Sequence, residues 1–154
     1  RWSGYYFERM MQYRDPPGAD TNQLWDIVTR MRNPKVRARN KYELSLFDPL
    51  RDVDESPYGG QCLSFLSFKL HSGAPNILTL TAMYRNHYYV EKLLGNLIGL
   101  GRLMAFVARE SELAVGSLTV LSTHAEIDHP GKCSRGDIAA MLANFDHAAQ
   151  PSSV

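Results

Sequence analysis

Apolar and polar positions change their period several times along this chain, and each change marks an element. Residues 2–14 carry Trp2, Tyr5, Tyr6, Phe7, Met10, Met11 and Tyr13, too apolar a set for a free tail, so this segment must pack on something. Asp15-Pro16-Pro17-Gly18-Ala19-Asp20 interrupts it, because paired prolines fix φ and remove donors while Gly18 lets the chain reverse. Beyond the break Leu24, Trp25, Ile27, Val28 and Met31 recur at near-helical spacing. Thr21 or Asn22 can cap this helix by accepting from its free amides, and Asn33-Pro34 ends it. Residues 41–47 alternate in part, with Tyr42, Leu44 and Leu46 on one side, and predict a strand closed by Asp48-Pro49.

The stretch over residues 61–128 organises the rest. On a strand over residues 62–70, Cys62, Ser64, Leu66, Phe68 and Leu70 share one face and Leu63, Phe65 and Ser67 the other. Both faces are largely apolar, which predicts a central strand packed on two sides. Ser72-Gly73-Ala74-Pro75-Asn76 supplies turn chemistry, and residues 77–83 predict the antiparallel partner strand. Residues 90–109 read as a long helix, opened by Gly95-Asn96 in its first half, whose apolar stripe from Leu93 to Val107 is wide enough to predict burial on most sides. Gly95, Gly99 and Gly101 weaken its propensity, and their expected use is close approach of another backbone or of a ligand. A turn near Val115-Gly116 then leads into a strand over residues 117–127. The tail predicts a short helix over residues 134–147, led by Ser134-Arg135-Gly136-Asp137, and a loose end. The whole reads as an α+β core over residues 1–129 with a short helix and tail over residues 130–154.

Composition changes this picture little. The chain has 154 residues, 44% hydrophobic and 21% charged, enough for one globular domain with a core of its own. A net charge of +1 gives no global attraction to nucleic acid or an anionic membrane, so any anion site must be local. The most apolar run, residues 93–108, is broken by Arg102 and is too short to span a bilayer. No signal peptide is visible, so a cytoplasmic protein without a membrane partner is expected. The chain starts at Arg1 rather than at a methionine, which fits a fragment or one domain of something longer. Cys62 and Cys133 lie in no metal or redox spacing, which argues against a zinc knuckle or a dithiol pair.

Within that frame three residue types carry chemistry. The Cys62 thiolate can add to C6 of a pyrimidine and make C5 nucleophilic, although one cysteine on an apolar strand is more often a small buried hydrophobe. Arg85, if it lies across the strand pair from Cys62, would favour the thiolate and bind phosphate. Arg37 and Arg39, two apart, point the same way on an extended segment and either clamp a phosphate or join Arg30, Arg32, Lys35 and Lys41 in a solvated basic edge. Asn96 near the helix start either caps it or pairs with O4 and N3 of uracil. His124, Glu126 and Asp128 share a strand face, a spacing that could ligate a divalent metal. In a sugar pocket the two carboxylates would repel a nucleotide phosphate.

The order of these residues resembles the thymidylate synthase family, which includes the pyrimidine nucleotide hydroxymethylases, over roughly residues 5–129. Asn22-Gln23-Leu24 resembles the family's Asp-Gln-Leu, and the segment from Pro34 through Arg37 to Arg39 resembles its Pro-x-Ser-Arg-Arg turn. Gln61-Cys62-Leu63 is similar to the nucleophile's Pro-Cys-His, and Tyr84-Arg85-Asn86-His87-Tyr88 to Gln-Arg-Ser-x-Asp. Residues 89–96 resemble Leu-Gly-x-Pro-Phe-Asn, and His124-Ala125-Glu126-Ile127-Asp128 falls on the sugar-holding Asp-x-His-x-Tyr.

The resemblance implies an α+β fold with a mixed or antiparallel sheet at a homodimer interface and a long buried helix packed on it. It implies a dUMP-like pyrimidine nucleotide as ligand and one-carbon transfer to C5 from methylene-tetrahydrofolate. In that scheme Cys62 is the nucleophile, Arg85 binds phosphate, Arg37 and Arg39 reach into the partner's site, and Asn96 reads the pyrimidine. Leu63, Tyr88, Glu126 and Asp128 depart from the family residues at the histidine, pterin and sugar positions. The family's amino-terminal part, with a phosphate arginine and a catalytic glutamate, and the segment that closes over the folate have no counterpart here. The departures imply a divergent member and keep two further readings open. One is a catalytically degenerate nucleotide sensor or assembly subunit; the other is metal-dependent nucleotide chemistry at His124, Glu126 and Asp128.

Overall fold

The chain enters its structure through α1 (Tyr6–Met11), followed by a hairpin of β1 (Tyr13–Asp15) and β2 (Ala19–Thr21) in which Tyr13 faces Thr21 and Asp15 faces Ala19. The structure is a computed structural model that describes residues 6–15, 19–53, 55, 60–129, 131 and 133–149. Trp2, Tyr5, the Pro16-Pro17-Gly18 break and the end of the tail lie outside the described residues. Of the two candidate caps, Asn22 starts the next helix: its Oδ1 accepts from the amide of Trp25 at 2.8 Å, and α2 (Gln23–Arg32) follows. Leu24, Ile27 and Val28 form its buried stripe, while Trp25, counted with that stripe from spacing alone, faces outward.

Two polar contacts fix α1 and α2 against what comes next, β3 (Tyr42–Ser45) and the loop after it. The Arg9 and Asp52 side chains are each only 3% exposed and form a two-pronged ion pair, with Nη2 to Oδ1 at 2.7 Å and Nη1 to Oδ2 at 2.5 Å. Arg9 Nη1 also donates to the carbonyl of Leu46 at 2.7 Å. Gln23 Nε2 donates to the carbonyls of Arg9 at 3.2 Å and Ser45 at 2.9 Å, and its Oε1 accepts from the Ser45 amide. The glutamine of the Asn22-Gln23-Leu24 motif therefore ties helix, helix and strand together.

The chain continues through β4 (Leu63–His71), β5 (Ile77–Tyr84), β6 (His87–Tyr88), α3 (Tyr89–Glu110), β7 (Ala114–Ser122), β8 (Ala125–Glu126) and α4 (Arg135–Ala149). The main sheet runs β3-β4-β5-β7, antiparallel except that β5 and β7 are parallel. A parallel neighbour needs a crossover, and α3 supplies it. A small parallel pair, β6 with β8, sets His87 opposite Ala125 and Tyr88 opposite Glu126. The architecture is α+β with a mixed sheet, and no helix among the described residues is long and apolar enough to cross a membrane.

The core gathers Tyr42, Leu44, Leu66, Phe68, Leu78, Leu80 and Tyr84 from the sheet with Leu24, Ile27 and Val28 of α2 and Leu100, Met104 and Val107 of α3. Strict alternation predicts Leu63 on the face away from Leu66, but the structure differs. Leu63 pairs with Tyr84 and Phe65 with Met83, so Ser64 is an extra residue in β4. This bulge carries Leu63 onto the core face and leaves Cys62, just ahead of the strand, half-buried. The second face of β4 is not packed as predicted, since Phe65, Ser67 and Lys69 stay half-buried in the chain by itself.

Helix α3 corrects a further expectation. Its buried residues are Leu100, Met104, Val107 and Ala108, whereas Leu94 is 71% exposed and Ile98 about half exposed. The helix packs on β5 and β7, which cover one sector of a stripe wider than that contact. No backbone approaches Gly95, Gly99 or Gly101, since a Cβ on any of them would meet nothing within 4 Å. Gly116 is the glycine that close approach requires: it lies inside β7, not in a turn, and a Cβ there would come within 2.7 Å of the Leu78 carbonyl. The reversal comes earlier, at Ser111 and Glu112. For α4, Ser134 and Asp137 cap the start reciprocally, and Ile138 is its buried residue.

Candidate functional site: a cleft between the first helix and the long helix

Between α1, the end of the β4–β5 pair and α3 lies a cleft of about 220 Å³. Tyr6 and Met10 line it from α1, Leu63 and Tyr84 from the sheet, and Asn96 and Leu103 from α3. Gly95 and Gly99 also border it, and the absence of side chains there leaves that wall open. The wall is mostly apolar with few polar groups, the usual make-up of a small-molecule site.

Cys62 is the chain neighbour of Leu63, which lines the cleft, and it lies close enough to Tyr6 for its charge to bear on the phenol. Burial raises the Tyr6 phenol above its ordinary value, and Cys62 beside it adds to the rise, so the phenol keeps its proton at neutral pH and acts as a donor. Tyr84 is pushed up as well, by burial first and then by Tyr6 and Cys62. Arg85 lies opposite Cys62, as expected: its amide donates to the Cys62 carbonyl at 2.8 Å. Its side chain is turned along the chain, with Nε donating to the Gln61 carbonyl at 3.0 Å and a terminal nitrogen over the α-carbon of Gly60.

Asn96 lines the cleft from α3, and it does not cap the helix. Helix α3 begins at Tyr89, and Asp128 caps it from 38 residues away, accepting from the amides of Val90 at 2.8 Å and Glu91 at 3.1 Å. Asn96 falls in the second turn, where its Nδ2 lies 3.0 Å from Nε2 of His87. His87 is 1% exposed, its Nδ1 is 2.9 Å from Ser122 Oγ, and its ring stacks on Tyr84 at 4.2 Å. Burial lowers the pKa of His87, which keeps the ring neutral. Neither Tyr6 nor His87 stood out in the sequence. The one available signal was position, for Tyr6 sits in an apolar segment that had to pack and His87 lies inside the Tyr84-to-Tyr88 motif.

The remaining predicted residues are placed elsewhere. Arg39 donates to the Leu70 carbonyl and to Asn76 Oδ1, at the far end of β4. That end is eight residues from Cys62, roughly 26 Å at about 3.3 Å per strand residue, so Arg39 does not reach this cleft within one chain. Arg37 lies two residues before it on the same exposed segment. Tyr88 occupies the cap position of α3 without a side-chain cap bond. The Asp128 carboxylate is engaged by the helix start, and exposed Glu126 borders a separate groove of about 430 Å³ shared with His129, Arg135 and Ile138. Among the described residues no three histidines, cysteines or carboxylates come together as a metal site.

The cleft thus carries a phenol from α1 and an amide from α3 with a buried imidazole behind the amide. No known protein family matches the chain, and none of the curated proteins is significantly similar to it.

Proposed function

We propose that this chain is a divergent thymidylate synthase-like protein that binds a pyrimidine nucleotide in the cleft between α1 and α3, with Cys62 as the nucleophile toward ring C6. One observation carries the reading: Leu63, the chain neighbour of Cys62, lines the same cleft as Tyr6 and Asn96, which are 90 residues apart. The Cys62 thiolate would add to C6 and make C5 nucleophilic, methylene-tetrahydrofolate when bound would supply the one-carbon unit, and loss of the C5 proton would let the C6–S bond break again and free the thiolate. Asn96 pairs with the ring amide, and Arg85 at the cysteine end meets the phosphate. Arg37 and Arg39, at the far end of the sheet, would serve the site of a second copy in a homodimer.

A second reading has its own support. Asp128 is committed to the start of α3, and Tyr88 stands at the position that the resemblance assigns to a pterin-binding aspartate, which favours a protein that binds the nucleotide without turning it over. Incubation with 5-fluoro-dUMP, with and without methylene-tetrahydrofolate, followed by intact-mass measurement separates the two. An adduct lost in Cys62→Ser supports the enzyme; nucleotide binding without any adduct leaves the binding protein.

A further inference from the structure

A charged side chain at a surface either meets an opposite charge of its own chain or remains available to something else. Helix α4 opens with Ser134-Arg135-Gly136-Asp137, and the acid of this run is spent locally. Asp137 accepts from the Ser134 hydroxyl at 2.7 Å and from the Ser134 amide at 2.8 Å. Arg135 is thereby left without a carboxylate. Its Nε donates to Nε2 of His129 at 3.1 Å, and among the described residues its two terminal nitrogens have no partner. The guanidinium is planar, so a contact at Nε leaves the paired terminal nitrogens as the edge that remains for an anion.

Arg135 and His129 line the groove of about 430 Å³ described above, and Glu126 of β8 lines it too. Glu126 has no hydrogen-bond or ion-pair partner among the described residues, Arg135 included. Two opposite charges, each unpaired, therefore border one groove. Much of the remaining wall is apolar: Ile127 and Leu142 are more than half exposed, and Ile138 beside them is 8% exposed. Exposed apolar side chains next to unpaired charges are what a ligand with an apolar body and charged ends would cover.

We propose that the groove between β8 and α4 is a second binding site and that it takes a short apolar peptide by its two charged ends. The peptide carboxylate meets the terminal nitrogens of Arg135, its ammonium meets Glu126, and its side chains lie on Ile127, Ile138 and Leu142. A simple anion would satisfy Arg135 but be repelled by Glu126, and a simple cation would meet the reverse. The volume lies toward the lower end of the roughly 300–1,000 Å³ of small-ligand pockets, which suits a dipeptide rather than a folded partner. The groove shares no lining residue with the cleft, so this site stands apart from the nucleotide reading.

The test is calorimetry on the full chain with leucyl-leucine, its N-acetyl form and its carboxyl amide, repeated on Arg135→Gln and Glu126→Gln. Both positions are exposed, so neither substitution disturbs the core. The unblocked dipeptide is expected to saturate one site. Blocking either end is expected to weaken binding roughly three- to tenfold, between the size of an exposed ion pair and that of a hydrogen bond to a charged group. In Arg135→Gln the amide should bind as well as the acid, and in Glu126→Gln the acetyl form as well as the amine. Each variant lacks the group that the blocked end would meet, and a general loss of structure cannot produce this crossed pattern. Equal binding of blocked and unblocked forms by the unmodified protein would reduce the groove to an apolar surface and overturn the inference. An absence of saturable binding would overturn it as well, and the proposed nucleotide site would be untouched by either outcome.

Discussion

The phenol of Tyr6 and the thiol of Cys62, 56 residues apart in the chain, are neighbours in the fold: burial first and then the nearby Cys62 raise the Tyr6 pKa. Tyr6→Phe keeps the ring packed and removes the hydroxyl beside the sulfur, and alkylation of Cys62 by iodoacetamide near neutral pH should slow by up to about tenfold if that hydroxyl assists attack by the sulfur. Peptide mapping reads Cys62 and Cys133 separately, and the rate at Cys133, in the segment leading to α4, should not change.

The ion pair of Arg9 and Asp52 anchors α1, and with it Tyr6. Removing one partner leaves the other charge buried, so Asp52→Asn should cost about 3–5 kcal/mol in urea unfolding. Burial alone would raise the Asp52 carboxyl, but hydrogen bonds from Arg9 and from the Asp48 amide outweigh it and hold the group below the ordinary carboxylate value. The contribution to stability is therefore full above the unfolded pKa of about 3.9 and is lost as pH falls through the lower folded value. Unfolding measured between about pH 5 and 2 should show this acid-dependent loss in the unmodified protein and a flatter profile in Asp52→Asn.

Gly60 and Arg85 are matched in shape. Gly60 has φ +69°, a conformation costing other residues about 1–2 kcal/mol, and a Cβ there would come within 3.1 Å of an Arg85 terminal nitrogen. Gly60→Ala should lower stability by about that amount and displace the guanidinium. If Arg85 meets the phosphate, a nucleoside monophosphate should lose affinity while the uncharged nucleoside binds as before, a difference that calorimetry resolves.

Local signals carried most of the element assignments. The Asn22 cap, the alternation of β4 and β5 and the 3.6-residue stripe of α3 each depend on residues a few positions apart, and each is visible in a string of letters. What escaped depends on distant partners. Asp128 caps α3 from beyond the next strand, His87 finds Asn96 and Ser122 only after the β5–α3–β7 crossover forms, and Tyr6 meets Cys62 only once Arg9 has pinned α1. The stripe of α3 was read as burial on most sides because apolarity records what a surface prefers to contact, whereas its neighbours in the chain cover one sector. Arg37 and Arg39 share an exposed segment, but a spacing of two residues says nothing about which end of a sheet they occupy.

Ser64 separates two properties that a regular strand keeps locked together: which residues stand opposite each other, and the direction in which the chain leaves the sheet. Deleting it would still leave Leu63 opposite Tyr84 and Phe65 opposite Met83, yet the local bend and added twist that a bulge brings to its strand would vanish. The heading of the Cys62 thiol can thus be adjusted by a single residue while every cross-strand pairing is preserved.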